Sequence, residues 1–491
     1  MMINNQDIFT GNIKEKSHRL FNEDLAPAKE RHWNTYSLLS MWMSDVHSIG
    51  TYTFAAGLFF LGLTGWEVLI AEIIGACVVM YLANLTGTAG TRLGVPYPVL
   101  SRISFGVFGG NIPALIRGII AVFWYGIQTY LSSVAVVAIM LLIFPGMKGL
   151  MGDTFLGLSL PGWIGFLFLW LLQFIIFRYG MEFIRKFDNF CGPAVYLMML
   201  ILIVWIAVKA GGKINIAVSP VSVPSGQAII QFFSAISLVI AYFSTIILNV
   251  SDFTRFSPSS KTTRWGNFWG LPINFTAFSL ASVVITAGTI TVFGKAITDP
   301  VLLIQKVNNP FFLVIGAIVF MIATMGVNIV ANLVSPAYDF ANVAPRHIDF
   351  RRGAMLTSIL AVLVMPWKVY GNPIAVNYFL GGLGAFLGPI FAIIVVDYYL
   401  IKHGRINVEA LYQEGESHAY WYQKGYHLKA FIAFIIGIIV TVPLALVPAF
   451  SAVSAFSWPI GVVVTGLVYG VIMRTEKAAV LESDPGASPL Q

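Results

Sequence analysis

The chain has 491 residues, of which 57% are hydrophobic and only 10% carry a charge. Because a soluble domain carries about 25% charged residues, this composition excludes a water-soluble protein and predicts an all-α integral membrane protein. The net charge of +7 is explained by basic loops on one side of a lipid bilayer, so we expect no nucleic-acid partner.

Apolar runs of about twenty residues predict twelve transmembrane helices. The runs begin near residues 36, 65, 112, 160, 187, 228, 268, 311, 354, 373, 427 and 454. They leave an N-terminal tail at 1–35, a loop at 402–426, helices 11 and 12 within 427–473, and a C-terminal tail at 474–491.

The distribution of Lys and Arg predicts that both termini are cytoplasmic. With the N-terminus inside, 23 of the 29 basic residues fall on the inner side of the membrane and six on the outer side. Three of the inner residues, Arg92, Arg102 and Arg117, are assigned to the loop between spans 2 and 3.

The first polar cluster is the stretch WMSDVHSIGTYT, residues 42–53, within span 1. A carboxyl at the centre of a membrane helix costs about 2.5–3.5 kcal/mol, yet this stretch contains Asp45 and His47. The residues that follow them disfavour a helix, and an interrupted helix exposes carbonyl groups that can bind a cation or a polar substrate. Asp45 and His47 therefore belong either to a functional site or to a satisfied internal pair.

Two further clusters place polar side chains one helical turn apart. Trp124 and Gln128 share one face of span 3, where an indole and a primary amide could hold a small planar amide ring, although packing alone would also explain the indole. Asn328 and Asn332 share one face of span 8, where buried amides need partners.

The cytoplasmic end of span 6 carries another group of polar residues. Asn249 and Asp252 lie there, and Arg255 follows Asp252 by three positions, which predicts an ion pair that closes the helix end. Phe243 precedes this group and lies deeper in the membrane.

Five motifs occur in order along the chain: RISFG at 102–106, FWYGIQTY at 123–130, NVSDFTRF at 249–256, NLVSPAYD at 332–339 and LGPIFAIIVVDYYL at 387–400. With these motifs the sequence resembles the nucleobase–cation symporter-1 family, and within it the allantoin and hydantoin permeases, from about residue 20 to 475. The resemblance implies a five-plus-five inverted-repeat transporter fold, with repeats at 36–210 and 228–401 and broken helices 1 and 6. It implies a multi-pass protein of the inner (plasma) membrane, which we expect to work as a monomer.

The resemblance also implies roles for individual residues. A planar ligand would lie between Trp124 and Phe243, with Gln128 and Asn332 as its amide partners. The substrate position of span 1 falls on Ser48, beside His47.

The cation site implied by the resemblance is incomplete in this sequence. Its carbonyl positions fall on Ser44, His47 and Ala323, whereas its two hydroxyl positions hold Gly326 and Val327. Three carbonyls predict at most a weak sodium site, because a hard cation usually takes about six oxygen ligands. Asp45 adds a carboxyl that an apolar site would keep neutral, and this predicts coupling to protons through Asp45, with His47 as its partner or as a substrate donor.

The resemblance implies a secondary active transporter for the uptake of a small planar nitrogen heterocycle, coupled to H⁺ or Na⁺. Allantoin or another hydantoin is the first expectation, and a uracil-type pyrimidine or a purine nucleobase is the alternative. A facilitative uniporter or channel is a rival of a different class. The sequence has no nucleophile motif or metal-ligand spacing such as HExxH, so we expect no enzymatic activity, no catalytic residue and no cofactor.

Overall fold

The computed structural model describes residues 8–179, 181–224, 226–370 and 373–474. The predicted C-terminal tail at 474–491 therefore lies outside the described residues, except for Arg474, and so do the first seven residues of the N-terminal tail.

The first half of the described chain is helical and corresponds to predicted spans 1–5. Its helices are α1 (Thr35–Val46), α2 (Ile49–Gly57), α3 (Gly65–Leu93), α4 (Tyr97–Phe105), α5 (Asn111–Ile143), α6 (Leu160–Arg178) and α7 (Met181–Lys209). Short 3-10 helices lie at Glu23–Leu25, Leu58–Leu61 and Pro145–Met151, and two short antiparallel strands, β1 (Thr154–Phe155) and β2 (Leu158–Ser159), precede α6.

The second half is also helical and contains three π-helical turns. Its helices are α8 (Ala228–Asn249), α9 (Ser251–Thr254), α10 (Ser260–Phe268), α11 (Asn274–Phe293), α12 (Pro300–Lys306), α13 (Pro310–Ile329), α14 (Ser335–Val343), α15 (Phe350–Leu363), α16 (Pro366–Tyr370), α17 (Pro373–Val396), α18 (Leu428–Leu446) and α19 (Ser457–Ile472). The π-helical turns lie at Trp269–Ile273, Val330–Val334 and Asp397–Ile401, and 3-10 helices at Glu409–Tyr412 and Pro448–Phe456.

Among the described residues, 10 helices are long and apolar enough to cross a membrane. The two remaining predicted spans correspond to the interrupted pair α1–α2 and to α15, which has 14 residues. The count of twelve crossings, the division into repeats and the orientation of the termini stay predictions.

The helix of span 1 is interrupted between α1 and α2. His47 ends α1 with ψ at 77°, and Ser48 is extended with φ at −138° and ψ at 163°. The Ser48 side chain accepts a hydrogen bond from the Thr51 N–H and thereby caps α2. In span 6, by contrast, only Val250 separates α8 from α9, and it keeps helical dihedral angles.

The three arginines assigned to the loop between spans 2 and 3 lie in helices instead, so this prediction was wrong. Arg92 lies in the last turn of α3, Arg102 in α4 and Arg117 in the second turn of α5, and all three are buried. The prediction rested on the rule that a charged side chain usually lies in a loop. A buried arginine can instead be satisfied by hydrogen bonds: Arg102 donates to the Leu411 carbonyl at 2.8 Å and to an oxygen of Asn342.

The N-terminal tail and the 402–426 loop pack onto the same end of the helices. The Phe9 N–H donates to the Arg92 carbonyl and the Ser17 N–H to the Tyr412 carbonyl, both at 2.8 Å. The Phe108 N–H, just after α4, donates to the Gly425 carbonyl at 2.9 Å. These segments therefore close the end of the bundle at which span 2 ends and span 3 begins.

Candidate functional site

A small cavity lies where α1, α5, α8 and the π turn after α13 meet. Five of the predicted site residues line it, from four parts of the chain: Asp45, Trp124, Gln128, Phe243 and Asn332. The structure thus brings residues that lie far apart in the sequence to one buried place.

Aromatic rings form the apolar walls of this cavity. Trp124 is half-buried and meets the rings of Tyr242 and Phe379 edge-on, with centroids 5.7 Å and 5.4 Å away. Phe243 is buried and contacts Tyr242 at 5.3 Å and Phe275 at 5.1 Å, also edge-on. The faces of such rings can stack on a flat ligand.

Tyr242 is a site residue that the sequence reasoning missed. Its ring stacks on Phe54 of α2 at 4.5 Å, and its hydroxyl lies 3.0 Å from the Thr51 hydroxyl. Tyr242 and Trp124 also line a second, mostly apolar cavity. The Trp124 and Tyr242 rings therefore lie between the two cavities. Tyr242 could have been predicted as a site residue from its position next to Phe243 in the sequence.

Gln128 supplies the polar group on α5. Its side chain is 2% exposed, and its Oε1 has no hydrogen-bond partner in the described part of the structure. The amide lies against α2 so closely that a Cβ atom on Gly50 would stand 2.8 Å from Nε2. A buried acceptor without a partner costs about 1–3 kcal/mol, and a ligand N–H would remove that cost.

Asn332 lies in the π turn Val330–Val334 and joins a chain of buried amides. Its Nδ2 donates to Asn328 Oδ1 at 3.1 Å, and Asn328 Nδ2 donates to Gln173 Oε1 at 2.7 Å. The prediction that the two asparagines share a face and need partners is therefore confirmed by their hydrogen bonds, and π turns often occur at functional sites.

Arg117 also lines the cavity, and the sequence reasoning missed it because it was placed in a loop. Its Nη2 donates to the Ala331 carbonyl at 2.9 Å, and its Nη1 lies 3.6 Å from Asp339 Oδ2 in a fully buried ion pair. Arg117 precedes Trp124 by seven positions, or about two helical turns, so both lie on one face of α5. This spacing could have indicated in the sequence that Arg117 belongs to the site.

Asp45 and His47 do not form the predicted internal pair. Asp45 lines the cavity, whereas His47 Nε2 lies 2.9 Å from Asn274 Oδ1 and the imidazole stacks on Phe278 at 5.2 Å. The pairing was wrong because side chains two positions apart on a helix point to opposite sides. Neither His47 nor Ser48 lines the cavity, and the Ser48 hydroxyl is used to cap α2.

The interruption in span 1 changes the hydrogen bonding of two predicted cation ligands. In a continuous helix the Ser44 carbonyl would accept the N–H of Ser48 and the His47 carbonyl that of Thr51. Here the Ser48 N–H donates to the Val46 carbonyl at 2.9 Å, and the Thr51 N–H donates to Ser48 Oγ at 3.0 Å. The two carbonyls therefore lose their helical donors at the interruption.

The third predicted cation ligand, Ala323, is buried in α13 next to Thr324. The Thr324 hydroxyl accepts the N–H of Ile49 at 3.2 Å, so it lies at the start of α2. Gly326 and Val327 bring no side-chain oxygen, but Thr324 places a hydroxyl beside the interruption that the sequence reasoning did not consider.

The predicted ion pair of Asp252 with Arg255 is also wrong within the described residues. Asp252 is buried and accepts hydrogen bonds from the Tyr97 N–H at 2.7 Å and from Asn249 at 3.3 Å. Arg255 instead donates to the Tyr338 hydroxyl at 3.0 Å and to the Asp24 carbonyl at 3.3 Å. Asp252 and Arg255 therefore each bind other residues and not each other.

The family model for permeases for cytosine/purines, uracil, thiamine and allantoin matches residues 26–461. The chain belongs to this permease family. The permease is 37% identical over 472 residues to the allantoin permease of Bacillus subtilis, covering 95% of this chain and 96% of that protein. It is 30% identical to the putative allantoin permease of Escherichia coli, covering 94% and 96% of the two chains.

Solved structures share the fold of the permease. Mhp1, a nucleobase–cation–symport-1 family transporter in a closed conformation with bromovinylhydantoin bound, superposes with a TM-score of 0.76. The match covers 94% of this chain and 96% of Mhp1 at 22% identity. The predicted family and transporter fold are confirmed, and the permease is a multi-pass transporter of the plasma membrane and not an enzyme.

Proposed function

We propose that this permease takes up allantoin or another hydantoin as a secondary active transporter. The observation that carries the proposal is the cavity itself, whose lining includes the Trp124 ring and the Gln128 and Asn332 amides. Stacking on an indole and hydrogen bonding to two carboxamides together suit a flat ring with an amide edge. The names of the two bacterial relatives support the same choice.

The cavity also defines how the ligand is held. Trp124 and Phe243 supply the aromatic walls, Gln128 and Asn332 supply amides, and all of these residues come from one chain. A monomer is therefore sufficient for binding. Ser48 and His47 act through the interruption of span 1, because Ser48 caps α2 and His47 contacts Asn274 of α11.

We further propose that the coupling ion is a proton carried by Asp45. The Asp45 carboxyl lines the cavity and forms no hydrogen bond or ion pair with any residue that the structure describes. A carboxyl in contact with the substrate cavity can take up a proton together with the ligand and release it on the other side. Coupling to sodium through the carbonyls of Ser44, His47 and Ala323 is the rival, and the Thr324 hydroxyl makes that rival stronger.

One experiment tests the substrate proposal. The permease is purified into proteoliposomes, and uptake of labelled allantoin is challenged with unlabelled allantoin, hydantoin, uracil, cytosine and a purine. Allantoin or hydantoin should compete at the lowest concentration. Stronger competition by uracil would assign the permease to uracil-type pyrimidines, and saturable uptake that never exceeds the outside concentration would indicate a uniporter.

A further inference from the structure

We infer that the cavity requires an N–H group of the ligand at Asn332, and that two residues outside the cavity, Gln173 and Asn328, impose this requirement. Both are positioning residues: they form no part of the cavity lining, yet they determine which atom of the Asn332 amide faces the ligand. The inference rests on the proposed function, because it takes Asn332 as a ligand contact.

The orientation begins at Gln173 in α6, which is completely buried. Its Nε2 lies 3.1 Å from the Leu169 carbonyl oxygen. A backbone carbonyl can only accept, so the nitrogen of the Gln173 amide must be the atom that faces it. The oxygen, Oε1, therefore faces the other way, towards Asn328 at 2.7 Å.

Asn328 must then donate towards Gln173. A second acceptor requires the same orientation independently, because Asn328 Nδ2 also lies 3.0 Å from the Tyr125 carbonyl oxygen. The Thr129 hydroxyl lies 2.9 Å from the same nitrogen and donates its own hydrogen to Tyr125, so it too can only accept from Asn328. The two hydrogens of Asn328 Nδ2 thus face three acceptors. With its nitrogen fixed by these partners, Asn328 has only its oxygen left for Asn332.

Asn332 completes the chain of amides. Its Nδ2 donates one of its two hydrogens to Asn328 Oδ1 at 3.1 Å, so its carbonyl oxygen, with the second N–H beside it, remains for the cavity. A flipped Asn332 would place two oxygens against each other and leave buried acceptors unpaired, which is costly. The cavity therefore presents an acceptor at Asn332.

The orientation of the Asn332 amide determines which chemical group the substrate must place there. A ligand must supply an N–H donor at Asn332, as the ring amides of hydantoin and allantoin do. A ring that presents a carbonyl there, or a nitrogen that carries a methyl group, would leave the Asn332 oxygen unpaired. The requirement originates in α6, which supplies none of the residues that line the cavity.

The first test measures binding of hydantoin, 1-methylhydantoin and 3-methylhydantoin to the purified wild-type permease and to Asn332→Ala. In the wild type, at least one methylated ring should bind about 5- to 150-fold more weakly than hydantoin, as expected for one unpaired buried acceptor. In Asn332→Ala, that ratio should fall to about threefold or less, because the acceptor is gone.

Failure of the inference and failure of the proposed function are distinguishable. If Asn332→Ala weakens hydantoin binding but keeps the full methylation ratio, Asn332 is a contact and its oxygen is not the atom that the ligand meets. If Asn332→Ala binds hydantoin and allantoin as the wild type does, the proposed site is wrong.

The second test addresses the positioning residues. Asn328→Leu removes the oxygen that orients Asn332, so the methylation ratio should fall although residue 328 does not line the cavity. Gln173→Glu should keep the ratio, because a neutral carboxylic acid has an O–H donor for Leu169 and a carbonyl acceptor for Asn328. Gln231→Leu, in α8 and outside the amide chain, is the matched control and should also keep it. A full ratio in Asn328→Leu, or a lost ratio in Gln173→Glu, would overturn the inference. Should Asn328→Leu not fold, the Gln173→Glu and Asn332→Ala results still decide it.

Discussion

Trp124 is the residue on which ligand affinity should depend most directly. Its indole is half-buried and lines the cavity, so Trp124→Ala removes a stacking face worth about 1–3 kcal/mol, or roughly 5- to 150-fold in affinity. Trp124→Phe keeps a smaller face and should lose less. The measurement is equilibrium binding of labelled allantoin, with Trp66→Ala as the control because Trp66 is exposed on α3. Unchanged affinity in a correctly inserted Trp124→Ala protein would contradict stacking.

Tyr242 offers a second prediction at this scale, through its hydroxyl and not its ring. Tyr242→Phe keeps the ring between the two cavities but removes the hydrogen bond to Thr51. We expect Tyr242→Phe to lose about 0.5–1.5 kcal/mol of the free energy of unfolding, and Thr51→Val to lose more, because Thr51→Val also removes the contact of the Thr51 hydroxyl with Ser48 Oγ at 3.0 Å. In chemical denaturation, the double variant should lose no more than Thr51→Val alone, and additive losses would show that the bond does not contribute.

The sequence spacing of polar and aromatic residues predicted part of the site, but the predicted position of Arg117 was wrong. Trp124 with Gln128, and Asn328 with Asn332, lie one turn apart, and the structure places each pair on one helix face. Arg117 was missed because a charge inside an apolar run was taken as the mark of a loop. The chain of amides that orients Asn332 begins at Gln173, 159 positions earlier in the sequence, and no local pattern could reveal it.

The interruption between α1 and α2 matters because it brings the α2 backbone close to the site. Gly50, in the first turn of α2, lies so near the Gln128 amide that an added Cβ would stand 2.8 Å from Nε2 and 3.1 Å from Oε1. The atoms in the way belong to the end of a flexible side chain, so the fold should tolerate a methyl group while the amide moves away from its place.

We therefore predict that Gly50→Ala weakens allantoin binding to the same extent as Gln128→Ala, by about 1–3 kcal/mol at most. In a protein that already carries Gln128→Ala, Gly50→Ala should have no further effect. Gly57→Ala is the control, because no atom lies within 4 Å of a Cβ at that position of the same helix. Binding measured for all four variants checks this, and an equal effect of Gly50→Ala with and without Gln128 would reject the idea.

At the level of elements, glycine and hydroxyl residues predicted an irregular span 1, and the structure has two helices there. The π turn that carries Asn332 has no comparable signal, because VANLV differs little from an ordinary helical sequence. Such a turn depends on the packing of a whole helix against its neighbours, and α5 supplies much of that packing for α13 and α14.

For the whole molecule, composition was sufficient to predict the class of protein, since 57% hydrophobic residues cannot be buried in a soluble fold of this length. The packing of the N-terminal tail and the 402–426 loop over one end of the bundle could not be predicted, because polar segments carry no periodic signal. Their hydrogen bonds, such as that from the Ser17 N–H to the Tyr412 carbonyl, join segments almost 400 positions apart.

Energy coupling is a property of the whole transporter, and it gives the last prediction. Asp45→Asn keeps the size and polarity of a protonated carboxyl but cannot exchange a proton. We therefore expect this variant to bind allantoin almost as the wild type does and to exchange it across the membrane, yet to lose accumulation against a gradient. Asp153→Asn, in the exposed segment between α5 and α6, is the matched control.

The measurement uses proteoliposomes with one imposed gradient at a time, either inward H⁺ without Na⁺ or inward Na⁺ at constant pH. An H⁺ gradient alone should drive accumulation in the wild type and in Asp153→Asn, but not in Asp45→Asn. If a Na⁺ gradient alone drives accumulation and Asp45→Asn behaves as the wild type does, the proton proposal is wrong. In that case Thr324→Val should abolish the Na⁺-driven accumulation, because Thr324 supplies the hydroxyl beside the carbonyls of the interrupted span.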